Sequence, residues 1–209
     1  MTEKTPPTNS PRTVQGIVPD ATALKALTHP VRLRMLGLLR IDGPATATQL
    51  ALRLGLNSGA TSYHLRQLAL HGFIEEAPGP SRRDRFWRAR HETTTVLEPG
   101  AEGEALDVGI AFTQAALSWQ VSQMQQAIEE YAELPEAWRR ASTASDFTIP
   151  LTPAQAEALT KRLMAILWEA MREAPALGGP LPEGVVPFSI MLHAFPYPGQ
   201  VPHKEEPEA

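Results

Sequence analysis

The chain has 209 residues, 43% hydrophobic and 20% charged, a composition that suits a packed core and either one large domain or two small ones. It holds no cysteine, which excludes disulfides, thiolate nucleophiles and cysteine metal sites. No apolar run approaches the roughly 18 residues of a membrane span, and the opening MTEKTPPTNSPRT lacks the apolar core of a secretory signal, so a cytoplasmic protein is expected. The net charge of −4 is unevenly spread: residues 21–95 carry 11 Lys and Arg against 5 Asp and Glu, whereas residues 96–209 carry 6 against 16. A basic half joined to an acidic half fits a module that faces a polyanion, attached to one that avoids it.

Residues 1–19, rich in Pro, Thr and Ser, read as a disordered lead-in, and residues 20–95 as the first compact unit. In ALKALTHPVRLRMLGLLRIDG, Val31, Met35, Leu38 and Leu39 make one apolar helix face; Pro30 sits where a helix can begin, and Asp42-Gly43 ends it. A second helix, Ala47–Leu54, turns Leu50, Ala51 and Leu54 inward. Gly55-Leu56-Asn57 then makes a short turn: Gly55 takes the left-handed conformation, Leu56 plugs the corner, and Asn57 or Ser58 caps the next helix.

The third helix spans about 58–71 and packs Thr61, Leu65 and Leu68 against the second. Its other face displays Ser58, Gly59, Ser62, Tyr63, Arg66 and Gln67, short or hydrogen-bonding side chains of the kind that enters a major groove. No acid lies between Gly43 and Phe73 to repel phosphate. GFIEEAPGPSRRDRFWRARHE reads as a hairpin whose tip and return strand carry Arg82, Arg83, Arg85, Arg88 and Arg90, placed to reach phosphates or a narrow minor groove. A helix-turn-helix followed by an arginine-loaded hairpin is a winged helix.

The segments ALKALTHPVRLRMLGLL and TATQLALRLGLNSGATSYHLRQLALHGFIEE resemble the ArsR-type winged-helix repressors over roughly residues 24–90. That resemblance implies that Ser58, Gly59, Ala60, Ser62, Tyr63 and Arg66 face bases or phosphates, and that His64 braces the recognition helix or touches the DNA backbone. It also implies dimerisation through helices flanking the reading head. Where many members carry a metal-sensing cysteine pair this chain reads TATQLALRLG, and its long helix after residue 103 contains no histidine, so metal sensing is not expected and no cofactor is assigned.

Leu97–Gly103 reads as a breaker, and a long helix runs on from about Glu104 to Leu134. Leu106, Ile110, Leu117, Val121, Met124 and Ile128, with Thr113 and Tyr131, recur at intervals of three and four and form a nearly heptad seam suited to a second copy. Phe112, Ala116 and Trp119 make a second stripe, expected to pack on the chain's own C-terminal segment. A short helical piece at 135–142, a strand at 146–150, a helix at 153–173 capped by Thr152 and Gln155, and a strand at 185–195 complete a small α+β unit. Residues 104–195 are thus expected to dimerise, and Trp138, Met164, Trp168, Met171, Phe188 and Met191 to form its core or to line an effector pocket. Residues 196–209 read as a disordered tail.

The histidines have plain readings: His29 as a helix cap, His71 at a helix C-terminus, His193 as a satisfied interior residue. No catalytic constellation is visible, so the chain is read as a non-enzyme. The expected fold class is α+β and mostly helical. The expected function is a homodimeric regulator that binds a near-palindromic duplex, with no membrane association and a small-molecule effector left open. A winged-helix protein-interaction module without DNA binding is the alternative.

Overall fold

The computed structural model of the chain describes residues 11–79, 83–95 and 100–202. Arg82, the breaker residues 97–99 and the expected tails at 1–10 and 203–209 lie outside the described residues.

Strand β1 (Gly16–Ile17) opens the described chain, with helices α1 (Ala21–Leu27) and α2 (Pro30–Ile41) after it. Of these two helices, the sequence pattern pointed only to the second. Asp20 caps α1 by accepting from the Ala23 N–H, and Pro30 then starts α2 with His29 as its cap. A proline is tolerated at a first helical position because its missing N–H would have no partner there. Strand β2 (Ala45–Thr46) runs directly into α3 (Ala47–Leu54), and α4 (Ser58–Leu70) comes after the short turn. Strands β3 (Ile74–Ala77) and β4 (Phe86–Ala89) form the hairpin, and β5 (Thr93–Thr94) returns to pair in parallel with β1.

The wing is a three-stranded antiparallel sheet in the order β2-β4-β3, with Ala45 opposite Trp87 and Glu75 opposite Arg88. The alternation of side chains on β4 turns Trp87 into the core and Arg88 outward. One core binds these elements: Leu27, Met35, Leu36, Leu39, Leu50, Leu65, Leu68, Phe73, Ile74 and Trp87 are all buried in a single cluster. Helix, turn and sheet share that cluster, so the reading head is one packing unit.

Residues 11–19 differ from the expected disordered lead-in. Arg12 ion-pairs with Glu92 at 2.7 Å, its Nε donates to the Ala174 carbonyl and its backbone N–H to the Arg172 carbonyl, while β1 pairs with β5. A single arginine ties the N-terminal segment to two distant parts of the chain.

Helix α5 (Gly103–Glu130) continues through a 3-10 turn (Tyr131–Glu133) to α6 (Glu136–Ala141), and α7 (Pro153–Glu173) comes last. The second stripe of α5 packs differently from expectation. Phe112 lies against the core of the reading head, and Trp119 lies under the Arg34 guanidinium of α2 at 5.2 Å. Thus α5 is fastened to α1 and α2, and the C-terminal segment is not what covers this stripe.

The expected α+β unit does not form. α7 holds its expected range and its Thr152–Gln155 capping box, but residues 146–150 and 185–195 are not strands. An isolated extended segment has no neighbour to take its backbone N–H and C=O groups, so alternation alone does not make a sheet. Beyond Gly109 no described residue is buried, and the expected core reduces to one ring contact, Trp138 with Phe188 at 6.3 Å. His193, expected inside, is exposed and bonds Gln120 Oε1 at 2.8 Å.

Candidate nucleic-acid interface

Helix α4, the helix expected to read DNA, is held by its N-terminal turn. Thr46 and Gln49 close a capping box that starts α3, and Gly55 ends it in the left-handed region at φ 65° and ψ 34°, where a side chain would strain the backbone. The Leu56 N–H reaches back to the Ala51 carbonyl at 2.9 Å, and Leu56 packs on the core. Of the two caps expected, Asn57 is the one used: its Oδ1 accepts from the Ala60 N–H at 2.8 Å. The Thr61 hydroxyl donates to the Asn57 carbonyl, so the buried face of α4 keeps its one polar group satisfied.

With Thr61, Leu65 and Leu68 inside, the opposite face is set by helical periodicity. Ser58, Gly59, Tyr63 and Arg66 are exposed, and Ala60 and Ser62 are half-buried beside them. Tyr63 stands 51% exposed, its ring meeting that of His64 edge-on at 5.5 Å. His64 behaves differently from the rest. It turns toward α2, where its ring lies 4.6 Å from that of His29, and its Nδ1 is buried without a partner among the described residues. Burial, then the charge of His29 and of Arg32, holds the His64 pKa below its ordinary value; His29 is lowered by burial and then by Arg32. His64 therefore packs α4 against the cap of α2.

A groove of about 250 Å³ runs between α4, the N-terminus of α3 and the wing. Thr46, Thr48, Ser62, Arg66, Arg83 and Arg85 line it, together with Trp87 and the acid Asp84. Hydroxyls and guanidinium groups converging on one concave strip suit phosphate oxygens, which accept from both. The sequence places Arg83 and Arg85 on the wing and Ser62 and Arg66 on the helix, but the shared groove and the contribution of Thr46 and Thr48 come from tertiary packing.

The wing is less freely cationic than its sequence suggests. Arg85 pairs with Glu76 at 3.1 Å, and Glu75 faces both Arg88 at 2.7 Å and Arg90 at 3.5 Å. Cross-strand pairing brings the EE of β3 against Arg88 of β4 and the arginines that flank that strand, a juxtaposition invisible in linear order. At the base of the wing, Arg40 donates to the His91 carbonyl and the Thr94 hydroxyl, both at 2.8 Å. Burial lowers its pKa to about 10, so it stays charged at neutral pH.

The seam residues Leu106, Ile110, Leu117, Val121, Met124 and Ile128 are all uncovered in the single chain, from 38% to 70% exposed. Among the described residues no cluster of three or more His, Asp or Glu is arranged to hold a metal ion, and no helix is long and apolar enough to cross a membrane.

Residues 27–77 match the model of a helix-turn-helix domain. No curated protein matches the chain. Among solved structures it is similar to the transcriptional regulator Tm0710 of Thermotoga maritima, with 12% identity over 69% of this chain and 79% of that one, at a TM-score of 0.29. Lactococcus lactis ZitR, as a mutant in its apo form, gives 16% identity over 69% and 83% at 0.30. RV1404 of Mycobacterium tuberculosis gives 19% over 70% and 82% at 0.28. The first half of the present chain is a winged helix-turn-helix domain, extended by the long helix α5.

Proposed function

We propose that the protein is a sequence-specific, homodimeric DNA-binding transcription regulator of the ArsR-like kind, acting as a repressor. Ser58, Gly59, Ala60, Ser62, Tyr63 and Arg66 present α4 to the major groove, and Arg82, Arg83 and Arg85 hold the flanking backbone. His64 acts from behind, fixing the helix that reads. The observation that carries this reading is the groove where Ser62 and Arg66 of the helix meet Arg83 and Arg85 of the wing, beside a helix-turn-helix free of acids. Two copies joined along the α5 seam would set two recognition helices on half-sites about 34–36 Å apart.

Selection of binding sites from genomic DNA with the purified protein, followed by titration of the recovered duplex, tests the reading. A near-palindromic site bound by two copies is expected. Binding that ignores sequence and salt would instead leave a protein-interaction module. Repression is tested by placing that site across a reporter promoter, where added protein should lower transcription.

A further inference from the structure

Two long segments of this chain carry no Asp, Glu, Lys or Arg, and both present exposed apolar side chains. The first is Val108–Ile128, 21 residues of α5; the second is Val185–Pro202, 18 residues of the C-terminal tail. A helix resting on its own domain normally charges its outer face, and an extended surface segment does the same. Here even the sector of α5 beside the seam is Gln114, Ser118 and Ser122, polar but uncharged. Depletion of charge with polar, neutral side chains at the edge is the composition of a surface that becomes covered.

The two segments already touch. His193 bonds Gln120 of α5, and near that contact Phe188 stacks on Trp138 of α6 while Met191 is half-buried. The tail therefore lies beside α5 and turns Val186, Ile190 and Leu192 outward, with Ile190 at 61% exposure. Like Leu117, Val121 and Met124 of the seam, these side chains are apolar and uncovered in the single chain.

We infer that the tail Val185–Pro202 is the second element of the dimer interface, docking with the α5 seam against a second copy of this chain. The inference rests on the homodimer reading above and deepens it. A second copy fits because a two-fold axis brings the same surface to itself, so each charge-free segment meets another that demands no desolvated charge. A helix seam alone would leave the outward face of the tail in water, an exposed apolar patch of the kind that soluble monomers avoid.

The cysteine-free chain gives a clean test. Leu117→Cys and Ile190→Cys, each in the full-length protein, are alkylated with a maleimide across a range of protein concentrations. Both sites are exposed in the single chain, so neither substitution threatens the core. Both rates should fall about tenfold or more as concentration rises through the dimer dissociation constant, because the reactive form is then the dissociated minority. If Leu117→Cys slows and Ile190→Cys does not, the dimer stands and the tail lies outside it, which overturns the inference alone. If neither slows, the homodimer reading falls with it. In parallel, Ile190→Glu should weaken dimerisation by about tenfold or more in sedimentation equilibrium, since it places a charge in a dry contact. An unchanged dissociation constant overturns the inference.

Discussion

Tyr63 and Arg66 sit on the exposed face of α4, directed away from the core, whereas His64, between them, is committed to the His29 contact. Replacing Arg66 or Tyr63 with Ala should therefore relax sequence preference at one position of the site, by about 1–3 kcal/mol in a binding competition. Glu75 has the opposite effect to theirs. Glu75→Gln would release Arg88 and Arg90, and the expected result is severalfold tighter, less selective binding with a salt slope steeper by about one phosphate contact. His29, His64 and His91 share a lowered pKa, caused first by burial in each case. Below their ordinary value of 6.5 the unfolded chain takes up protons that the folded one refuses, so stability falls as pH drops. Thermal melts between pH 7 and pH 5 should show this decline, and His64→Asn should flatten it.

The elements stand or fall by their ends. Gly55 has nothing within 4 Å of where a Cβ would sit, so Gly55→Ala meets only backbone strain. A loss of about 1–2 kcal/mol is expected in denaturant titration, the cost of a left-handed residue with a side chain. Asn57→Ala removes the cap of the recognition helix and should cost about 1 kcal/mol. DNA affinity should drop further than that stability loss, because the N-terminal turn that loosens is the turn offered to the groove. The helix boundaries were legible: 153–173 and 47–54 come from caps, periodicity and stop signals that lie within a few residues of one another. The strands were harder. DFTIP and VVPFSIMLHAF alternate as strands do, but a strand is a pairing, and neither segment finds a partner among the described residues. The hairpin of β3 and β4 was legible, whereas the other pairings, β2 on β4 and β1 on β5, involve two-residue strands too short to leave a pattern.

At the scale of the molecule, the reading head is closed around one core while every described residue beyond Gly109 remains unburied. The proposed homodimer would relieve that imbalance, and binding to the proposed operator tests it. Leu117→Glu together with Val121→Glu should give a folded protein of monomeric mass whose affinity for the full site falls toward that for a half-site. Affinity of the unmodified protein should fall by ~10³–10⁵ between 50 and 200 mM salt if ~6–10 phosphates are neutralised. A flat salt response would remove the backbone contacts assigned to the wing.

Sequence by itself determined the helix-turn-helix, its acid-free reading face and the apolar seam, because caps, turns and helical periodicity are local and write themselves into neighbouring residues. Tertiary structure decided what those residues meet. Glu75 answers the wing arginines, Thr46 and Thr48 join the groove, Arg12 clamps the end of α7, and Phe112 and Trp119 turn toward the reading head. Each of these is a contact between residues far apart in the chain, formed by the closing of one hydrophobic core or by pairing across a sheet, and no local pattern encodes such a partner.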